Sequence, residues 1–205
     1  MSEWKSMFDE LAKQYQVLDL VPESSTFLFL LESPHVQELK HGAPVSGSSG
    51  ISMTKHLFPD RFGKEPLGIV VKNQRVSKVG LMNVCQIPMQ AAAYGDEEMK
   101  SKYAELLAVL ERVRTATNRL SYANADWNQV QEIIVANLRS RLERLTDRKL
   151  HVVPCGKFAQ KFFRLANVHS PKWRVAEGVP HPSYNGWSKS EYAVAVSSML
   201  EAFAE

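Results

Sequence analysis

The sequence predicts an α/β protein, a three-layer αβα sandwich built on a central, mostly parallel four-stranded sheet, and three observations carry that expectation. Short apolar runs of strand length alternate with longer segments of helical periodicity, the signature of βαβ units. The runs are apolar at successive rather than alternate positions, as strands covered on both faces require. The residues with chemical capacity fall immediately behind these runs, where an open parallel sheet binds its ligands.

Each element can be justified in turn. Trp4, Met7, Phe8, Leu11 and Tyr15 recur at helical spacing, so the chain begins with an amphipathic helix. Residues 26–31 form a buried strand that stops at Glu32-Ser33-Pro34-His35, where proline ends regular structure. Residues 41–50 are rich in Gly, Pro and Ser and read as loop, with a short helix over 51–58. Residues 78–82 form a second strand ending at Asn83, and the apolar run 67–71 is open to reading as a further short strand. Helical patterns cover 96–115 and 126–145. A strand over 150–153 leads through Gly156 into a helix over 157–165. Residues 173–179 are read as the last strand, ahead of Pro180-His181-Pro182-Ser183, and a helix over 189–203 follows.

Composition narrows the class. A chain of 205 residues fits one α/β domain spanning 1–205, and 44% hydrophobic with 23% charged residues is globular usage that excludes a mostly disordered chain. Cys85 and Cys155 are single and far apart, which excludes a zinc ribbon; no metal and no cofactor are expected. Charged residues break up the first fifteen positions, and no apolar run approaches the roughly 18 residues of a membrane span, so a cytoplasmic protein without membrane attachment is expected. The net charge of +3 is mild, but residues 139–174 hold ten Lys and Arg against Glu143, Asp147 and little else. A surface of that kind attracts phosphates, with Lys157 and Lys161 expected to face a nucleic acid.

The segments behind the strands resemble, in order and spacing, the motifs of the uracil-DNA glycosylase superfamily. Leu31-Glu32-Ser33-Pro34 is similar to its first motif, Gly-Gln-Asp-Pro-Tyr in one branch and Gly-Glu-Ala-Pro-Gly in the iron–sulfur branch. The stretch from Pro44 to Gly50 resembles the Pro-Phe-Val-Gly-x-Ala-Gly loop, and Leu81-Met82-Asn83-Val84 the strand ending in the family's asparagine. The stretch from Val153 to Gln160 resembles the strand-Gly-x-x-Ala-Gln segment, and His181-Pro182-Ser183 the start of the last motif. Four departures stand out. The cluster cysteines are missing, Ser33 stands where one branch has its aspartate, Val45 where the iron–sulfur branch stacks a phenylalanine, and Tyr184 where a proline often follows.

The resemblance implies a monofunctional DNA glycosylase, probing DNA as a monomer, that hydrolyses the N-glycosidic bond of a flipped uracil or modified base and leaves an abasic site. Breaking that bond builds positive charge on the sugar and negative charge on the base. Glu32 is the candidate carboxylate for the sugar and its water, and His181 the candidate donor to the base. Ser33, Pro34, Val45 and Asn83 are the expected base-binding residues, Asn83 because its amide both donates and accepts. Gly47, Ser48, Ser49, Lys157, Ser183, Tyr184 and Trp187 are the expected DNA contacts, with ordinary core packing an equal alternative for Trp187. With Val45 in place of a ring, either Phe58 or Tyr94 swings in or the pocket takes a bulkier pyrimidine, such as a modified base of phage DNA. The competing reading is a DNA-binding module of the same fold without catalysis.

Overall fold

The computed structural model describes residues 2–205. Ser2 caps α1 (Glu3–Tyr15) by accepting a hydrogen bond from the Lys5 N–H. The next elements are β1 (Phe27–Leu31), α2 (Val36–His41), α3 (Ser48–Leu57), α4 (Leu67–Lys72) and β2 (Val79–Asn83). After them come α5 (Glu97–Lys102), α6 (Ala104–Thr115), α7 (Ala125–Glu143), β3 (Leu150–Pro154) and α8 (Gly156–Ala166). The chain then runs through β4 (Trp173–Val175), two 3-10 turns (Ser183–Ser188 and Ser190–Tyr192) and α9 (Ala193–Ala204). The four strands pair in parallel in the order β2-β1-β3-β4.

Strand β1 shows why the fold has three layers. Successive side chains leave opposite faces of a strand. Leu28 and Leu30 join Met82 and Val152 in a core closed by α1, α6, α7 and α8. Phe27, Phe29 and Leu31 join Val79, Leu81 and Val153 in a second core, closed by α3, α4 and α9. All five β1 side chains are buried, each adding roughly 1.5–3 kcal/mol by leaving water. The outer edge of β2 is covered by an antiparallel bridge in which Leu20 and Leu81 exchange N–H···O bonds of 2.9 and 2.7 Å.

Three expected elements differ. Residues 67–71 are helical, not strand: Pro66 sits at the N-cap of α4, and a run this short does not reveal its period. The helix expected over 96–115 breaks at Tyr103 (φ −108°, ψ 20°), whose hydroxyl donates to Glu10 on α1. The last strand stops at Val175; Ala176 donates once more to Val152 O, and Gly178 then turns the chain at φ +71°.

Part of the basic stretch is committed to contacts within the protein, while Arg144, Lys149, Lys157, Arg164, Lys172 and Arg174 are exposed. Arg141 on α7 chelates Asp19 at 2.9 and 3.0 Å and donates to the carbonyls of Asn83 and Val84, fixing the exit of β2. Arg139 donates to the carbonyls that end α8, and Arg148 holds the carbonyls of Pro22, Glu23 and Ser25. Lys161 is fully buried, donating to Ala116 O at 3.1 Å and Tyr122 Oη at 2.6 Å. The expectation that Lys161 faces a nucleic acid is therefore overturned: the amphipathic α8 turns this position into the core.

Candidate functional site

The carboxyl ends of β1 and β2 and the loop that follows β4 open on one cavity of about 430 Å3. Glu32, Ser33, Val45, Asn83 and His181 line it, with Gly47, Ser48, Ser49, Ser183 and Tyr184 at its margin. Residues scattered over about three quarters of the sequence meet because parallel strands all discharge at the same edge of the sheet.

His181 is fixed in one protonation state and one tautomer. The Ser183 backbone N–H donates to Nδ1 at 3.2 Å, so Nδ1 carries a lone pair and the ring proton resides on Nε2. Ser183 Oγ lies 2.8 Å from the same nitrogen. Burial pushes the imidazolium pKa down to about 4, so near neutral pH the ring is an uncharged donor. Its backbone is gripped from two sides. A Cβ on Gly156, which has φ +86°, would lie 2.9 Å from His181 Cβ. One on Gly186 would lie 2.1 Å from His181 O.

Glu32 leaves β1 into the cavity. Burial raises its pKa, opposed by Arg114 of α6, whose Nη1 is 3.4 Å from Oε1. A carboxylate in this setting is more basic than one in water, with the Arg114 guanidinium favouring its charged form.

Asn83 sits at the cavity floor, almost fully buried, with Nδ2 donating to Glu38 Oε1 at 3.2 Å. Its Oδ1 has no partner among the described residues, a deficit of about 1–3 kcal/mol that a donor on a ligand would remove. Glu38, on α2, also accepts from the N–H of Val45 at 2.7 Å and of His35 at 3.0 Å. Burial raises its pKa, and the three N–H donors pull the other way. Val45 is held by this contact at φ 46°, a left-handed conformation costly for a β-branched residue. Gly50 and Gly68 pack so close behind it that a Cβ would meet the Val45 and Pro44 carbonyls at 1.7 and 1.9 Å.

Three expected site residues lie elsewhere. Pro34 is buried beside the cavity without lining it. Trp187 is only 3% exposed; its indole donates to Pro180 O at 2.9 Å and packs on Phe29 and His56, so it supports the site from the core. Lys157 is exposed in a separate polar depression with Thr117, Gln160 and Arg164. Neither candidate replacement ring reaches the cavity: Phe58 packs on Phe62 and Phe203, and the Tyr94 hydroxyl is tied to Pro88 O. Tyr184, by contrast, stands 92% exposed at φ 51°.

Glu38, Arg114 and Gln90 also line the cavity and were not singled out from the sequence. Only the Glu-x-x-x-x-x-x-Val spacing, which lets one carboxylate cap a loop N–H, carries a trace of Glu38. Both cysteines are buried, and burial raises the pKa of each thiol, that of Cys85 to about 12. Among the described residues no group of three or more His, Cys, Asp or Glu is arranged to hold a metal, and no helix is long and apolar enough to cross a membrane. No protein-family model matches the chain, and no curated protein is significantly similar to it.

Proposed function

We propose that this protein is a monofunctional DNA glycosylase that removes uracil or a modified pyrimidine from DNA, working as a monomer in the cytoplasm. One observation carries the reading: a neutral His181 with its proton on Nε2 and an ionisable Glu32 line the same cavity. In the reaction, C1′–N bond cleavage sends its electron pair to the base, where His181 Nε2–H donates to a carbonyl and spreads the charge. Glu32 stabilises the cationic sugar and orients the water whose oxygen bonds to C1′. The water's second proton leaves through the carboxylate to solvent. Among the described residues no lysine lines the cavity to form a Schiff base, which supports hydrolysis without strand cleavage.

The cavity walls favour a base larger than uracil as the second reading. Val45 and Ser33 are small, and the rings in the lining are those of His35, His181 and Tyr184. The decisive experiment offers the protein a panel of oligonucleotides, each with one altered base, and detects released free base by mass. We expect release of at least one pyrimidine, reduced at least a hundredfold in Glu32→Gln with DNA binding retained. Binding without release from any member of the panel would replace this reading with a non-catalytic DNA-binding module.

A further inference from the structure

We propose that Glu38 is a positioning residue that fixes the direction in which Asn83 reads a base, and so decides between keto and amino pyrimidines. The proposal rests on the glycosylase reading for its substrate but on geometry for its mechanism. An asparagine amide has a donating and an accepting end, and rotation by half a turn exchanges them. The Watson–Crick edges of uracil-type and cytosine-type bases are opposite in the same sense: carbonyl then N–H in one, amine then bare nitrogen in the other. An amide free to turn matches either edge. Asn83 is not free, because its amide nitrogen donates at 3.2 Å to Glu38 Oε1, an oxygen that already serves as acceptor for the Val45 N–H.

The carboxylate is itself held against rotation. Oε1 also accepts from Val45 N and Oε2 from His35 N, so both oxygens are committed to backbone donors at opposite ends of the α2 loop. Asn83 is left with its second N–H and an unpartnered, buried Oδ1 in a fixed order. Only one of the two pyrimidine edges satisfies that order; the other sets donor against donor. A site built to hydrogen-bond one edge rejects its mismatch by a factor that reaches about 10⁴.

Glu38→Gln keeps the volume and abolishes the instruction. A glutamine oxygen facing Val45 N leaves its amine against the His35 N–H, and the reverse placement sets the amine against Val45 N. Asn83 can then adopt either orientation.

The test compares wild type and Glu38→Gln on paired duplexes carrying 5-hydroxymethyluracil or 5-hydroxymethylcytosine, and uracil or cytosine, measuring released base. Wild type should prefer one edge by at least about a hundredfold, and Glu38→Gln should reduce the ratio below about tenfold, with the disfavoured rate rising. A Glu38 that merely stabilises the fold would lower both rates together and leave the ratio unchanged, which overturns the proposal. The side-chain amide protons of Asn83, followed by NMR in the free protein, supply a second readout. One should be shifted downfield in wild type and revert in Glu38→Gln. If wild type released no base, the glycosylase reading would fall. The NMR comparison would still decide the role of Glu38, and unchanged amide resonances would refute it.

Discussion

Replacing Gly156 with alanine probes how tightly the fold holds His181. Two costs can be separated. The first is backbone: at φ +86° an L-residue pays roughly 1–2 kcal/mol that glycine avoids. The second is contact, since the new Cβ would lie 2.9 Å from His181 Cβ and 3.2 Å from His181 N, closer than side-chain carbons settle. The His181 segment cannot simply retreat, because Gly186 already packs against its carbonyl. Part of the strain must therefore appear as displacement of the imidazole by some tenths of an ångström. A misplacement of about 1 Å costs on the order of a hundredfold in rate, so a loss near tenfold is expected. Gly63→Ala is the control: its φ is +55°, but nothing lies within 4 Å of the added carbon, so it carries the backbone cost alone. Urea unfolding should show both variants destabilised by about 1–2 kcal/mol, with Gly156→Ala the worse, and base release should fall in Gly156→Ala only. Equal destabilisation with release within twofold of wild type in both variants would refute the reasoning.

Three further perturbations have definite signs. Burial lowers the folded-state pKa of Lys161 to about 8 from 10.5, so its stability contribution is complete only above the ordinary lysine value and is lost as pH falls through 8. Wild type should therefore gain up to roughly 3 kcal/mol relative to Lys161→Met between pH 7 and 10.5, and parallel melting curves across that range would contradict it. Arg141→Ala strands Asp19 and should cost roughly 3 kcal/mol, whereas adding Asp19→Asn should recover part of the loss; denaturant midpoints without recovery would show that the carbonyl contacts dominate. Base release should decline on acidification at a pH above 4.5, because Glu32 protonates there while His181 stays neutral down to about 4. An acid limb that persisted in Glu32→Gln would assign it to another group.

The sequence disclosed what depends on local pattern. Strand β1 was legible because its apolar run stops abruptly at Glu32-Ser33-Pro34, and Glu32 and Asn83 because they stand at strand ends, whereas His181 was found through the His-Pro-Ser motif, six residues beyond the end of β4. Residues 67–71 stayed open to a strand reading because apolarity without period does not separate helix from strand, and the context that decides, Gly68 pressed on Pro44, is tertiary. Glu38 and Arg114 were invisible for the same reason: each becomes part of the site by reaching over from a helix of its own. Lys161 was placed outward because its helix starts at the crevice, and Trp187 was open to either core packing or DNA contact; an indole with one carbonyl partner, or an ammonium with a carbonyl and a phenol, is satisfied inside. Three of the six arginines between residues 139 and 174, Arg139, Arg141 and Arg148, are spent on backbone carbonyls instead.

The sheet order has a consequence for how the protein is made. β1 lies between β2 and β3, so its second edge waits for a partner that follows long after the first pair is complete. At ordinary synthesis rates of 5–20 residues per second, roughly 3–13 s separate the emergence of Asn83 from that of Leu150. Throughout that interval Leu28 and Leu30 lack both Val152 and α8, and the open edge of β1 presents free N–H and C=O groups to any passing strand. Folding yield should therefore depend on how fast that interval is crossed or shielded, and slowed translation between β2 and β3 should raise aggregation without any change in the finished molecule.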